Sequence, residues 1–157
     1  MKSSLILASA TFVAGAALGV VAANAPMASA SQGETAKKVQ YLEIVTRDVD
    51  AVIAAYASAI GVQFGAPDTR LGGARTASLA GGGLVGVRAP LREDEHPVVR
   101  PYWLVPDIEA ALAAAVRLGG QTAHAPLEIP GHGTFAIYYQ GGNDHGLWQL
   151  PTQGKKD

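Results

Sequence analysis

Residues 41–61 read YLEIVTRDVDAVIAAYASAIG, and residues 102–119 read YWLVPDIEAALAAAVRLG. The second stretch repeats the first. Each is a short apolar strand, an acidic helix start, an Ala-rich helix and a closing Gly. Asp48-Val49-Asp50-Ala51 matches Asp107-Ile108-Glu109-Ala110 at an offset of 59, and Ile60-Gly61 matches Leu118-Gly119 at an offset of 58. A fixed-period echo of this kind sets the architecture before any single residue is interpreted. Two copies are too few for a solenoid. They suit two similar halves packed together.

Outward from the repeat, Val39 to Thr46 alternates as a strand does. A helix over about Val49 to Ile60 follows the acidic start, and Gly61 ends it. Pro67-Asp68 and Gly72-Gly73 signal turns. Ala74–Ala80 and Leu84–Ala89 read as two strands joined by Gly81-Gly82-Gly83. Residues 90–101 (PLREDEHPVVRP) read as a charged crossover bounded by prolines. The second half then offers a strand to Val105, a helix over Asp107 to Leu118, a strand over Gln121 to Ala125 and a loop over Pro126 to Gly133. Thr134–Gln140 and Gly146–Leu150 form its last hairpin. Each half is thus β-α-β-β-β, and the expectation is an α+β fold. Two paired modules, 39–90 and 99–151, would form one curved mixed sheet around a cup, with the helices on its outer face.

Residues 1–30 read as a signal peptide. Lys2 precedes an uncharged run from Leu5 to Ala23, and Met27-Ala28-Ser29-Ala30 offers a small-x-small cleavage site after Ala30. A cut after Ala25 would leave Pro26 at the new terminus, and an uncleaved membrane anchor is the other reading of the same run. The expected location is therefore the periplasm or the exterior. Residues 31–38 and 152–157 read as polar tails around a single domain, 39–151. The chain has no Cys, which removes disulfides, thiol chemistry and Cys-based metal sites. With 12 basic and 13 acidic residues and no basic stripe, nucleic acid is not an expected partner.

The paired modules resemble the vicinal oxygen chelate superfamily of glyoxalase I, bleomycin-resistance proteins and extradiol dioxygenases. The resemblance rests on Asp48, Ala55-Tyr56 and Ile60-Gly61, on Val105-Pro106-Asp107-Ile108-Glu109-Ala110, and on Gly131-His132-Gly133-Thr134-Phe135 with Gly146-Leu147-Trp148-Gln149. In metal-bearing members a His, Gln or Glu stands on the first strand of each half, and a last ligand follows the final hairpin Gly. Those positions here are Tyr41, Arg100 and Gly146. Arg100 is a permanently charged donor and Gly146 has no side chain. The resemblance therefore implies a lost metal site and no cofactor.

Strand alternation nominates the cup. Leu42 and Ile44 would face the helices, leaving Tyr41 and Glu43 on the cup side. Arg88, opposite Val85 and Val87, joins them. Arg100 and Tyr102 oppose Trp103 and Val105, which would pack inward. Tyr138 opposes Phe135 and Ile137, and Trp148 completes the wall. His132, in the Gly131-His132-Gly133 loop, is the remaining ligand-contact candidate. Aromatic walls with a few convergent charges are the usual make-up of a small-molecule site, here for an anionic or aromatic ligand. Glu43 with Arg88 or Arg100 reads equally well as an ion pair where the halves meet, and the tyrosines as packing. Of the other histidines, His96 and His145 suit solvated turns, and His124 has no evident partner. No His pair has metal-ligand spacing, and no phosphate loop or nucleophile elbow is present.

Three functions are open at this point. One is an exported small-molecule-binding protein without metal. The second is a metal-dependent lyase or dioxygenase with an unorthodox site drawn from Glu43, His132 or His145, or one using Glu43 as a general base. The third is a structural homodimer pairing through sheet edges, with a vestigial cup.

Overall fold

The computed structural model describes residues 37–151. The expected leader and most of both tails lie outside the described residues. In the first half, β1 (Val39–Val45) leads into α1 (Val49–Ile60), then β2 (Pro67–Asp68), a 3-10 turn (Thr69–Leu71), β3 (Ala74–Ser78) and β4 (Leu84–Arg88). The second half repeats the order as β5 (Val98–Leu104), α2 (Ile108–Arg117), β6 (Gln121–Ile129), β7 (Gly133–Gln140) and β8 (Asn143–Gln149).

The eight strands form one curved, unclosed sheet in the order β2-β3-β4-β1-β5-β8-β7-β6. That order reads alike from both ends. β1 runs parallel to β4 and β5 runs parallel to β8, while the halves join where β1 and β5 pair antiparallel. The architecture is the α+β pairing of βαβββ modules that the repeat implies.

The two helix starts use their acids differently. The Asp107 carboxylate accepts the Ala110 N–H at 2.9 Å, and Gln149 Oε1 accepts the Ile108 N–H at 2.8 Å. Both satisfy donors that an N-terminus leaves open. Asp48 makes no such bond with its side chain; Thr46 Oγ1 accepts its N–H instead. At the far end of α1, Gly61 adopts φ 70°, the left-handed geometry that suits glycine, and donates to the Ala57 carbonyl.

Packing separates the faces. Ile44, Val85 and Val87 pack with Ile53 of α1, and Leu42 joins them. Ala136 and Leu147 pack with Ile108 and Leu112 of α2. On the concave side Tyr41, Leu71, Ala74, Tyr102 and Trp148 form a third cluster with Phe135 and Ile137 against it.

Three expectations change. Val98–Pro101 belongs to β5 and not to the crossover. β8 pairs with β5 only from Tyr102 to Leu104, so Pro101 lies on a stretch flanked by β1 alone, where its missing N–H costs no ladder bond to β8. Pro126–Ile129 belongs to β6 and not to a loop. β6 is an edge strand whose register breaks between His124 and Leu127, and such an edge tolerates proline. Trp103 lies opposite the cup but does not pack inward; it is exposed.

Candidate functional site

The concave face encloses a cavity of about 630 Å³. Its floor is the seam between the halves. The register sets Glu43 of β1 opposite Arg100 of β5, and Arg88 ends the neighbouring strand β4. Glu43 Oε1 accepts Arg88 Nε at 2.7 Å, and Oε2 accepts Arg100 Nη1 at 2.5 Å and the Tyr102 hydroxyl at 3.0 Å. Two further carboxylates cap the arrangement. Glu95 takes both terminal nitrogens of Arg88, at 2.9 and 2.7 Å, and Asp144 takes Arg100 Nη2 at 2.7 Å. The result is an alternating chain, Glu95–Arg88–Glu43–Arg100–Asp144.

Charge and burial explain its electrostatics. Glu43, Arg88 and Arg100 are all buried. Burial opposes the charge on each guanidinium, but hydrogen bonds to Glu95 and Asp144 and the field of Glu43 more than offset it, and both are held above the ordinary arginine value. The Arg88 hydrogen bonds, aided by the Leu91 N–H, pull the Glu95 carboxyl from 4.5 down to about 2. Burial first, then the Glu43 charge, pushes the Tyr41 and Tyr102 phenols above their usual value, so both stay neutral.

Aromatic rings wall the cavity. Tyr41, Tyr102 and Trp148 meet with centroids 5.6 to 5.8 Å apart, and Phe135 joins Tyr102 edge-on at 6.2 Å. Two glycines make room for them. A side chain at Gly86 would collide with the Tyr41 ring, and one at Gly146 with the Tyr102 ring. Tyr41 stands opposite Tyr102 in the β1–β5 register, and Glu43 opposite Arg100.

Of the eight residues nominated from sequence, Tyr41, Glu43, Arg88, Arg100, Tyr102 and Trp148 line the cavity. Tyr138 does not. β7 sits in the opposite phase to the one expected: Ala136 and Tyr138 close against α2 while Phe135 and Ile137 face the cup. The Phe135–Trp148 pairing fixes that phase. His132 is also outside the lining. Its Nε2 meets Asp68 at 2.9 Å, and its backbone carbonyl accepts Trp148 Nε1 at 3.0 Å. It fastens the β6–β7 turn to the β2 end of the sheet, where Arg70 also engages Asp68 and holds its carboxyl down at about 2. Arg100 is held by two carboxylates, Glu43 and Asp144, as the ion-pair reading of the seam has it.

Glu95, Asp144, Phe135, Ile137 and His124 line the site and were not nominated. The His124 ring lies tilted against Phe135, centroids 4.7 Å apart. Asp144 and His145, adjacent in sequence, do face opposite sides: Asp144 reaches Arg100, and His145 stacks on Tyr138. His145 is thus a packed strand residue and not a solvated turn.

No family profile matches the sequence, and no curated protein does. Solved structures do match in three dimensions. A hypothetical protein from Bacillus halodurans C-125 superposes with a TM-score of 0.59 at 15% identity, over 76% of this chain and 99% of that one. Methylmalonyl-CoA epimerase from Mycobacterium tuberculosis gives 0.55 at 17%, over 73% and 88%. A Streptomyces coelicolor methylmalonyl-CoA epimerase variant in complex with 2-nitronate-propionyl-CoA gives 0.54 at 17%, over 74% and 99%. The epimerases are vicinal oxygen chelate proteins. This chain has the vicinal oxygen chelate fold. At such identities the likeness is one of fold alone.

Metal binding in vicinal oxygen chelate proteins needs several open donors on the floor. Here Tyr41, Arg100 and Gly146 stand at the matching positions, the Tyr102 ring fills the space beside Gly146, and Glu43 already accepts three hydrogen bonds. Among the described residues no three His, Asp or Glu side chains converge as a metal-binding group. The donor set does not fit a divalent ion.

Proposed function

We propose that this chain is an exported protein that binds a small molecule in its cup without a metal ion. The observation that carries the reading is the combination in one cavity: an aromatic-walled space of about 630 Å³ over a floor whose charged groups hold one another. That volume lies in the range of ligand sites, roughly 300–1,000 Å³. Catalysis by Glu43 as a general base is disfavoured, because two guanidiniums and a hydroxyl already donate to the carboxylate and hold it in its charged form. The fold likeness to proteins solved with a bound acyl-CoA analogue supports a small-molecule role. Export rests on residues 1–30, with cleavage after Ala30.

Three measurements test this. A thermal-shift screen of chemically diverse small molecules should find ligands that raise the melting point; one present at about 100 times its Kd adds about 2.7 kcal/mol. Elemental analysis should find no stoichiometric zinc, iron, manganese or nickel. A silent screen overturns the binding reading, and one tightly held metal per chain overturns the metal-free one. Intact mass of the exported protein should start at Ser31; retention of residues 1–30 refutes cleavage.

A further inference from the structure

We propose that the ligand of this cup carries a cationic amine head on an aromatic or aliphatic body, and that Asp144 receives the head. The inference rests on the small-molecule reading above and adds the ligand's charge class.

The two guanidinium groups of the floor are not free to greet an anion. Arg88 is held by Glu43 and Glu95, and Arg100 by Glu43 and Asp144. Arg100 Nε has no hydrogen-bond partner, but it is buried and has no open face toward the cavity. An anionic ligand would have to evict a carboxylate that already forms a close, charge-assisted pair. Of the two arginines at the rim, Arg70 is held by two bonds to Asp68, and Arg92 makes one exposed contact with Asp94 at 3.3 Å.

On the floor the carboxylates outnumber the guanidiniums, three to two. The whole lining balances at four carboxylates and four arginines, and of its carboxylates Glu128 makes no ion pair among the described residues. Asp144 is the floor group with capacity to spare. Its Oδ2 accepts Arg100, and its Oδ1 accepts no hydrogen bond among the described residues. Its side chain is 32% exposed, against 9% for Arg100 beside it, so it borders the open cavity. Arg100 joins it to the Tyr102 hydroxyl, and the aromatic wall begins there. An ammonium group at Asp144 gains a charge-assisted hydrogen bond, and ring faces attract the same charge. Leu71, Leu127 and Ile137 offer apolar surface for the body.

Three probes of nearly one shape test the head group: tryptamine, tryptophol and indole-3-acetate, titrated calorimetrically into the purified protein near neutral pH. Tryptamine should bind at least about tenfold tighter than tryptophol, equivalent to about 1.4 kcal/mol, and indole-3-acetate should bind weakest. Asp144→Asn should weaken tryptamine to the level of tryptophol, and Asp144→Glu should restore part of the preference. Raising salt to about 0.5 M should shrink the advantage of tryptamine in the unmodified protein, a readout that needs no variant. If tryptophol or indole-3-acetate binds as well as tryptamine, or Asp144→Asn keeps the preference, the amine inference fails while the small-molecule reading stands. If none of the three binds, the amine inference fails, and the wider thermal-shift screen decides the reading on its own.

Discussion

Replacing Glu43 by Gln removes the charge at the centre of the seam while keeping the shape of the side chain. Glu43 is 6% exposed and accepts from Arg88, Arg100 and Tyr102. A hydrogen bond to a charged group contributes about 1.5–3 kcal/mol. A Gln retains one acceptor and turns an amide donor toward a guanidinium that also donates. Against this, each arginine keeps its outer carboxylate, Glu95 or Asp144. The balance is a loss of about 3 kcal/mol, the low end for breaking a buried ion pair. For a domain of this size that lowers the melting point by on the order of 10 °C. Urea unfolding of Glu43→Gln, Arg100→Gln and the double variant gives the coupling directly: the double should cost about 2 kcal/mol less than the two singles together. A Glu43→Gln melt within about 3 °C of the parent, or strict additivity, would refute a buried network joining the halves.

Gly146→Ala should cost more than about 2 kcal/mol, because its Cβ enters the Tyr102 ring, whereas Gly61→Ala, with open space around it, should cost only the left-handed backbone strain of about 1 kcal/mol; chemical denaturation compares them. Glu95 has a folded-state pKa of about 2 against an ordinary 4.5, so its contribution is whole above about pH 4.5 and is lost as the pH falls toward 2. Stability measured across that window should fall by on the order of 3 kcal/mol less in Glu95→Gln than in the parent, and an unchanged slope would refute the Arg88–Glu95 clamp. Tyr41 and Tyr102 have folded-state values raised above 10.0, so their contribution is present below about pH 10 and lost as pH rises beyond it. Ultraviolet titration should show two tyrosines that ionise later than the rest, and simultaneous ionisation of all five would count against their burial.

The fold was legible because the same local chemistry occurs twice. An acid at each helix start, a Gly at each helix end and alternating strands between them leave few topologies. On β1, β4 and β5 the alternation also set the cup side, because Glu43, Arg88 and Arg100 interrupt otherwise apolar runs. β7 gave no such marker. Phe135-Ala136-Ile137-Tyr138 is apolar on both faces, and the deciding feature was the small Ala136, which lets α2 approach closely and is fully buried. Glu95 and Asp144 escaped for a different reason. One stands in the crossover and the other beside the last hairpin turn, where side-chain direction follows the tertiary path and not a local period. His132 was noticed for its ring, yet its backbone carbonyl is what touches the wall residue Trp148.

Each tyrosine seated on a glycine also constrains how this sequence can change. Tyr41 with Gly86, and Tyr102 with Gly146, are lock-and-key pairs in which neither member can move alone. A larger residue at either glycine meets a ring before it meets any ligand, and a smaller residue at either tyrosine opens a void without supplying a donor. A floor that holds a carboxylate at position 86 or 146 therefore lies two coordinated substitutions away in each half, with a destabilised intermediate on every route. The present floor is a local optimum, and the mutational paths out of it are steep on both sides of the seam.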